Sequence, residues 1–145
     1  MSPPSAARGC PFCEIAAGAP AHVVHDDDRV VAFLDRAPLV KGHVIVAPRA
    51  HVETFDDVPL ELVGPIFSVA QLVSRAFPAA LGSDGSFLAV NTRVSQTVAH
   101  AHVHVVPRRE GDGLFRAGMV WIRRRYDEGE AERFAARLRE AIAAT

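Results

Sequence analysis

The 145-residue chain lacks most of the features that mark the large special classes of protein. It has only two cysteines, too few for the disulfide framework of a small secreted fold. It has almost no net charge: sixteen basic residues against seventeen acidic ones leave a formal −1. That balance argues against a protein that grips duplex nucleic acid by bulk positive charge. No apolar run reads as long enough to span a membrane. The first nine residues, Met1–Gly9, lack the apolar region of a signal peptide, and their small, Pro-rich composition reads as a disordered tail. Internal repeats are absent too. These absences predict a cytoplasmic chain with one folded domain over residues 10–145, with no membrane partner and no duplex nucleic acid.

Against these absences, 49% of the residues are hydrophobic, enough for a core that needs no covalent staple. One residue type is in excess. There are seven histidines, three of them within five positions.

The hydrophobic pattern predicts a short helix over Phe12–Ala17 and strands at His22–His25 and Arg29–Asp35 around an Asp26-Asp27-Asp28 turn. A further strand is expected at His43–Pro48. Leu62, Ile66, Val69, Val73 and Phe77 share one helical face within Pro59–Phe77, with Pro65 as a kink or a late start. Strands follow at Phe87–Asn91 and Ala99–Pro107, and a last amphipathic helix over Asp127–Thr145. Strands that cluster around short turns, rather than alternating with helices, indicate an antiparallel α+β domain.

The segment His100-Ala101-His102-Val103-His104-Val105-Val106-Pro107 alternates strictly. On a strand this sets three imidazoles on one face, roughly 6.5–7 Å apart, and Ala101, Val103 and Val105 on the other. An exposed strand face would explain one histidine. Three in register, of a type that serves as nucleophile, base or metal ligand near pH 7, point to chemistry. Cys10-x-x-Cys13 is half of a tetrahedral metal site or a redox pair. The irregular segment before it favours the metal, since a redox pair follows a strand.

Taken together, Gln96-Thr97-Val98 before the triad, the triad itself with Pro107-Arg108, Phe33-Leu34-Asp35 and the run Lys41–His51 resemble the histidine triad (HIT) superfamily of nucleotide hydrolases and transferases. The resemblance covers about Cys10 to Arg109. It implies a five-stranded antiparallel sheet with two main helices, joined with a second copy into a ten-stranded sheet across a homodimer. It implies that His102 attacks the α-phosphorus of a nucleoside phosphoramidate, dinucleoside polyphosphate or similar conjugate, with a covalent nucleotidyl-histidine as intermediate. Thr97, His104 and His43 would attend the phosphate, and Asp35 the ribose. Phe12, Ile15 and Phe33 would enclose the base, a purine, and Asn91 and Gln96 would complete the nucleotide site. It further implies a structural zinc held by Cys10, Cys13, His51 and His100, and no organic cofactor.

Two departures from that pattern stand out. Ser95 occupies the position before Gln96 where relatives carry glycine, and the loop 92–95 is short. The arginines at 93, 108–109 and 123–125, the last group near Trp121, suit either a phosphate or plain solvation. Two other readings of the triad remain: ligands of a catalytic metal, or a non-catalytic nucleotide-binding module.

Overall fold

The computed structural model describes residues 7–116 and 122–144. Most of the expected N-terminal tail, and Trp121, lie outside the described residues. A short helix α1 (Pro11–Ala16) precedes strands β1 (Val23–Asp26), β2 (Val30–Leu34) and β3 (Val44–Pro48). Helix α2 (Leu60–Leu81), strands β4 (Gly85–Ala89) and β5 (Val103–Arg108), and helix α3 (Glu130–Ala143) follow. The strands form one antiparallel sheet in the order β1-β2-β3-β5-β4, the α+β architecture expected.

The β1–β2 turn follows from the aspartates. Asp27 Oδ1 accepts hydrogen bonds from the N–H of Arg29, at 2.8 Å, and of Val30, at 2.9 Å, which folds the chain back in an Asx turn. Alternation along the strands then divides two faces. Val30, Ala32, Leu34, Val44, Val46, Val103 and Val105 are buried with α2 and α3 in the main core. Val31, Phe33 and Ile45 face the other way, where Phe12 and Ile15 of α1 pack on them.

Three differences from the sequence expectation bear on the fold, besides α3, which begins at Glu130 and not at Asp127. First, α2 runs on through Pro78 to Leu81 instead of stopping at Phe77. Pro65 lies inside it, and Gly82, at φ 67°, caps its end by donating its N–H to the Pro78 carbonyl. At 22 residues this helix is long and apolar enough to cross a membrane by length and composition, which the sequence reading missed. Here its apolar side, Ile66, Val69, Ala70, Val73, Ala76 and Phe77, is buried in the core. Second, β4 begins at Gly85, two residues before the expected start. Third, β5 begins at Val103 and not at Ala99, so His100 and His102 precede the regular ladder. Ala101 still donates its N–H to the Val52 carbonyl at 2.7 Å, which holds the approach to β5 against the chain that leaves β3.

The loop from β2 to β3 depends on Gly42. Its φ of 102° suits glycine, and an added Cβ would sit 2.5 Å from Leu81 Cδ1 and 3.2 Å from Pro107 Cγ. Its N–H donates to the Tyr126 hydroxyl at 2.8 Å.

Candidate active site and metal centre

The alternation around the triad sets the site. Ala101, Val103 and Val105 anchor one face in the main core, so His102 and His104 project into a cleft of about 700 Å³ on the opposite face. Phe12, Ile15, Phe33, Asp35 and Thr97 line the same cleft. The apolar members gather at one end, where the Phe12 and Phe33 rings meet edge to face at 5.1 Å.

The hydrogen bonds assign the histidine tautomers. His102 Nδ1 lies 2.6 Å from the His100 carbonyl and donates to it, which leaves the Nε2 lone pair as the ring's nucleophilic position. Leu39 N–H donates to His43 Nδ1 at 3.0 Å, so the His43 proton sits on Nε2 and is donated to His104 Nδ1 at 2.9 Å. His104 in turn carries its proton on Nε2. Burial disfavours charge on all three rings and lowers their pKa values. His104 falls to about 4, helped by the charges of His102 and Arg123, and His43 lies well below the usual imidazole range. At pH 7 the three are neutral, as a nucleophile and two neutral donors require.

Asp35 is largely buried, and burial raises its carboxyl pKa. Its Oδ1 accepts the Ala37 N–H at 2.9 Å. His43 does not line the cleft but backs His104 from the buried side. Asn91 and Gln96 do not line it either. Gln96 staples the loop that carries Thr97, donating from Nε2 to the carbonyls of Glu53 at 2.6 Å and Val98 at 3.0 Å and accepting the Arg93 N–H at 2.8 Å. In that loop Arg93 (φ 65°) and Ser95 (φ 62°) are both left-handed, so Ser95 holds a glycine-type conformation with a side chain attached.

Arg36 and Arg123 also line the cleft. Arg123 donates to the Ala37 carbonyl at 3.2 Å and stands 3.7 Å from Asp35 Oδ2. The sequence offered Arg123 only as one of a cluster, and its contact with a residue 88 positions away has no local signature.

A second cluster lies at the entrance to β5. Cys10, the N-cap of α1, and Cys13, one turn on, face His51 and His100. The four ligand atoms all lie within 4.8 Å of one another. Cys10 Sγ is 3.3 Å from His100 Nδ1, and Cys13 Sγ is 3.3 Å from His51 Nδ1. His100 donates from Nε2 to the Pro48 carbonyl at 2.8 Å, which directs its Nδ1 lone pair at the two sulfurs. A ligand histidine tied through its other nitrogen to a carbonyl, within a Cys2His2 set, fits zinc. This arrangement separates the triad: His100 belongs to the cysteines, while His102 and His104 belong to the cleft. It disfavours three triad histidines around one ion. In the other grouping of ligand atoms, Asp35, His43 and His104, the two imidazoles are hydrogen-bonded to each other.

The sequence model of the HIT domain family matches residues 16–111. A zinc-bound histidine triad family protein of Mycobacterium smegmatis superposes with a TM-score of 0.82 at 37% identity, covering 94% of each chain. A hypothetical histidine triad nucleotide-binding protein of Sulfolobus tokodaii superposes at 0.81 with 29% identity and 93% of each chain. An adenylylsulfatase of Arabidopsis thaliana is 36% identical over 109 residues, 73% of this chain and 55% of that one. The chain belongs to the HIT family of nucleotide-binding, hydrolase-like proteins.

Proposed function

We propose that this chain is a nucleotide hydrolase or nucleotidyl transferase in which His102 is the nucleophile. The observation that carries the reading is the 2.6 Å bond from His102 Nδ1–H to the His100 carbonyl. It selects the tautomer and leaves Nε2 to attack. In the first step the Nε2–phosphorus bond forms as the bond from the α-phosphorus to the leaving group breaks. In the second, water attacks the phosphorus, restores His102 and releases the nucleoside monophosphate. His104 Nε2–H and the Thr97 hydroxyl donate to the phosphoryl oxygens, and His43 holds the His104 ring through its Nε2–H. Asp35 accepts from the ribose, and Phe12, Ile15 and Phe33 enclose a purine base. Gln96 supports the nucleotide indirectly, through the loop that carries Thr97, and Asn91 stands at the start of that loop.

Cys10, Cys13, His51 and His100 hold one structural zinc, which fastens α1, and with it Phe12 and Ile15, to the approach to β5. All four positions are protein ligands, so the metal supplies cohesion rather than a bound water. The exposed edge strand β4, with Leu88 at 38% exposure, suits extension of the sheet by a second copy. A cytoplasmic location completes the reading.

The test is a turnover panel of adenosine phosphoramidate, adenylyl sulfate, adenylyl-lysine and diadenosine polyphosphates with wild type and His102→Ala. The expected result is turnover of at least one compound and a loss of roughly 10³-fold or more in the variant. A variant that hydrolyses the same compound at the wild-type rate refutes the assignment of His102.

A further inference from the structure

A second cavity, of about 310 Å³, opens on the helix-bearing face of the sheet, away from the triad cleft. It lies where the end of α2, β5 and α3 meet. Leu81, Pro107 and Phe134 supply its apolar wall, and Ser83, Arg109 and Arg137 its polar groups.

Ser83 is only 7% exposed, and its hydroxyl has no hydrogen-bond partner among the described residues. Buried hydroxyls are nearly always paired, so this one, at the cavity wall, keeps hydrogen-bonding capacity that a bound molecule can use. Arg109 is held in place by donating from Nη2 to the Leu81 carbonyl at 2.6 Å, which leaves further guanidinium N–H groups to give. Arg137 has no ion-pair partner among the described residues. The other charges on the rim are already matched. Lys41 is 2.8 Å from Glu130, and the Asp112 carboxylate accepts from Arg108 at 2.6 and 2.7 Å and from two backbone N–H groups.

We propose that this cavity binds a phosphate monoester. Two guanidinium groups and an orphan hydroxyl line the same cavity as donors, which suits an acceptor-only tetrahedral anion. The wall of Leu81, Pro107 and Phe134 takes a short carbon body. At less than half the volume of the triad cleft, the cavity excludes a whole nucleotide, and the near-zero net charge of the chain speaks against a polymer. The site does not depend on the chemistry of His102.

The test uses the full chain and follows backbone amide NMR shifts of Ser83, Asp84 and Arg109. Inorganic phosphate and glycerol phosphate are titrated at ionic strength held constant with chloride. Both probes are expected to give saturating shifts at these amides, in wild type and equally in His102→Ala. Arg137→Ala and Ser83→Ala together should weaken that binding about tenfold or more. Arg137 is exposed and Ser83→Ala removes only the hydroxyl oxygen, so the variant keeps its fold, and its own spectrum checks this. Shifts that do not saturate, that chloride alone reproduces, or that the double substitution leaves unchanged overturn the proposal. Binding of inorganic phosphate with exclusion of glycerol phosphate overturns the monoester assignment.

Discussion

Gly42→Ala should damage stability and chemistry together, because one residue joins the core to the buried histidine pair. At φ 102° an L-residue is strained, by roughly 1–2 kcal/mol or more. The new methyl would also lie 2.5 Å from Leu81 Cδ1, 3.2 Å from Pro107 Cγ and 3.5 Å from Phe134 Cδ1. Overpacking of this kind costs typically about 1–3 kcal/mol. The Leu81 tip can swing aside, whereas the Pro107 ring on β5 cannot, so the sum is about 2–5 kcal/mol. For a domain of this length that lowers Tm by roughly 6–15 °C in calorimetry. His43, the next residue, bonds His104, so turnover per folded molecule should fall as well. The control is Gly64→Ala, inside α2, where an added Cβ meets nothing within 4 Å beyond its chain neighbours and the helix's own backbone. There the helix-propensity gain of about 0.5–1 kcal/mol is offset by crowding of the new Cβ against the ring of Pro65, so stability should change by less than about 1 kcal/mol. If both variants matched wild type, the close approach at Gly42 would be wrong.

Other outcomes follow from the same reasoning. Ser95→Gly should stabilise by about 1 kcal/mol, the left-handed strain relieved less the extra freedom of glycine in the unfolded chain, with turnover unchanged; chemical denaturation checks the first part and kinetics the second. Tyr126 is the sole tyrosine, so alkaline absorbance titration reads it alone. Burial, with Asp35 and Glu130 nearby, pushes it up to about 12, against an ordinary value of 10.0. The folded state then holds a proton that the unfolded chain has lost, so stability should fall as pH rises from about 10 to about 12. A midpoint near 10 in the folded protein contradicts its burial. Purified protein should contain about one zinc per chain, and Cys13→Ser should lose both the metal and part of the thermal stability. Native protein without zinc, and with both thiols freely titratable, removes the metal claim.

How much was visible in the sequence depends on the range of the forces involved. The parity of residues 100–106 is local, and it correctly set Ala101, Val103 and Val105 in the core and the imidazoles opposite them. The start of β5 was misread because alternation marks side-chain direction, not ladder hydrogen bonds, which begin only at Val103. The expected end of α2 was the last residue of its apolar face, Phe77, but the helix runs on through Pro78. The helix tolerates it because packing of Val73, Ala76 and Phe77 outweighs one lost backbone bond. The cysteine pair was legible as half a site, while His51 and His100 came from the family resemblance, since nothing in their spacing announces a shared centre. The pairing of His43 with His104, the Ser83 cavity and the approach of Arg123 to Asp35 are tertiary facts without a local signature.

The central claim is that His102 Nε2 forms a bond to phosphorus. It is tested most directly by rapid quench of the enzyme with a turned-over nucleotide conjugate, followed by peptide mass spectrometry under conditions that preserve phosphoramidates. The account predicts a nucleotidyl group on His102, absent from His102→Ala. Substrate consumed with no adduct on His102 at any quench time, or an adduct on another residue, would contradict it.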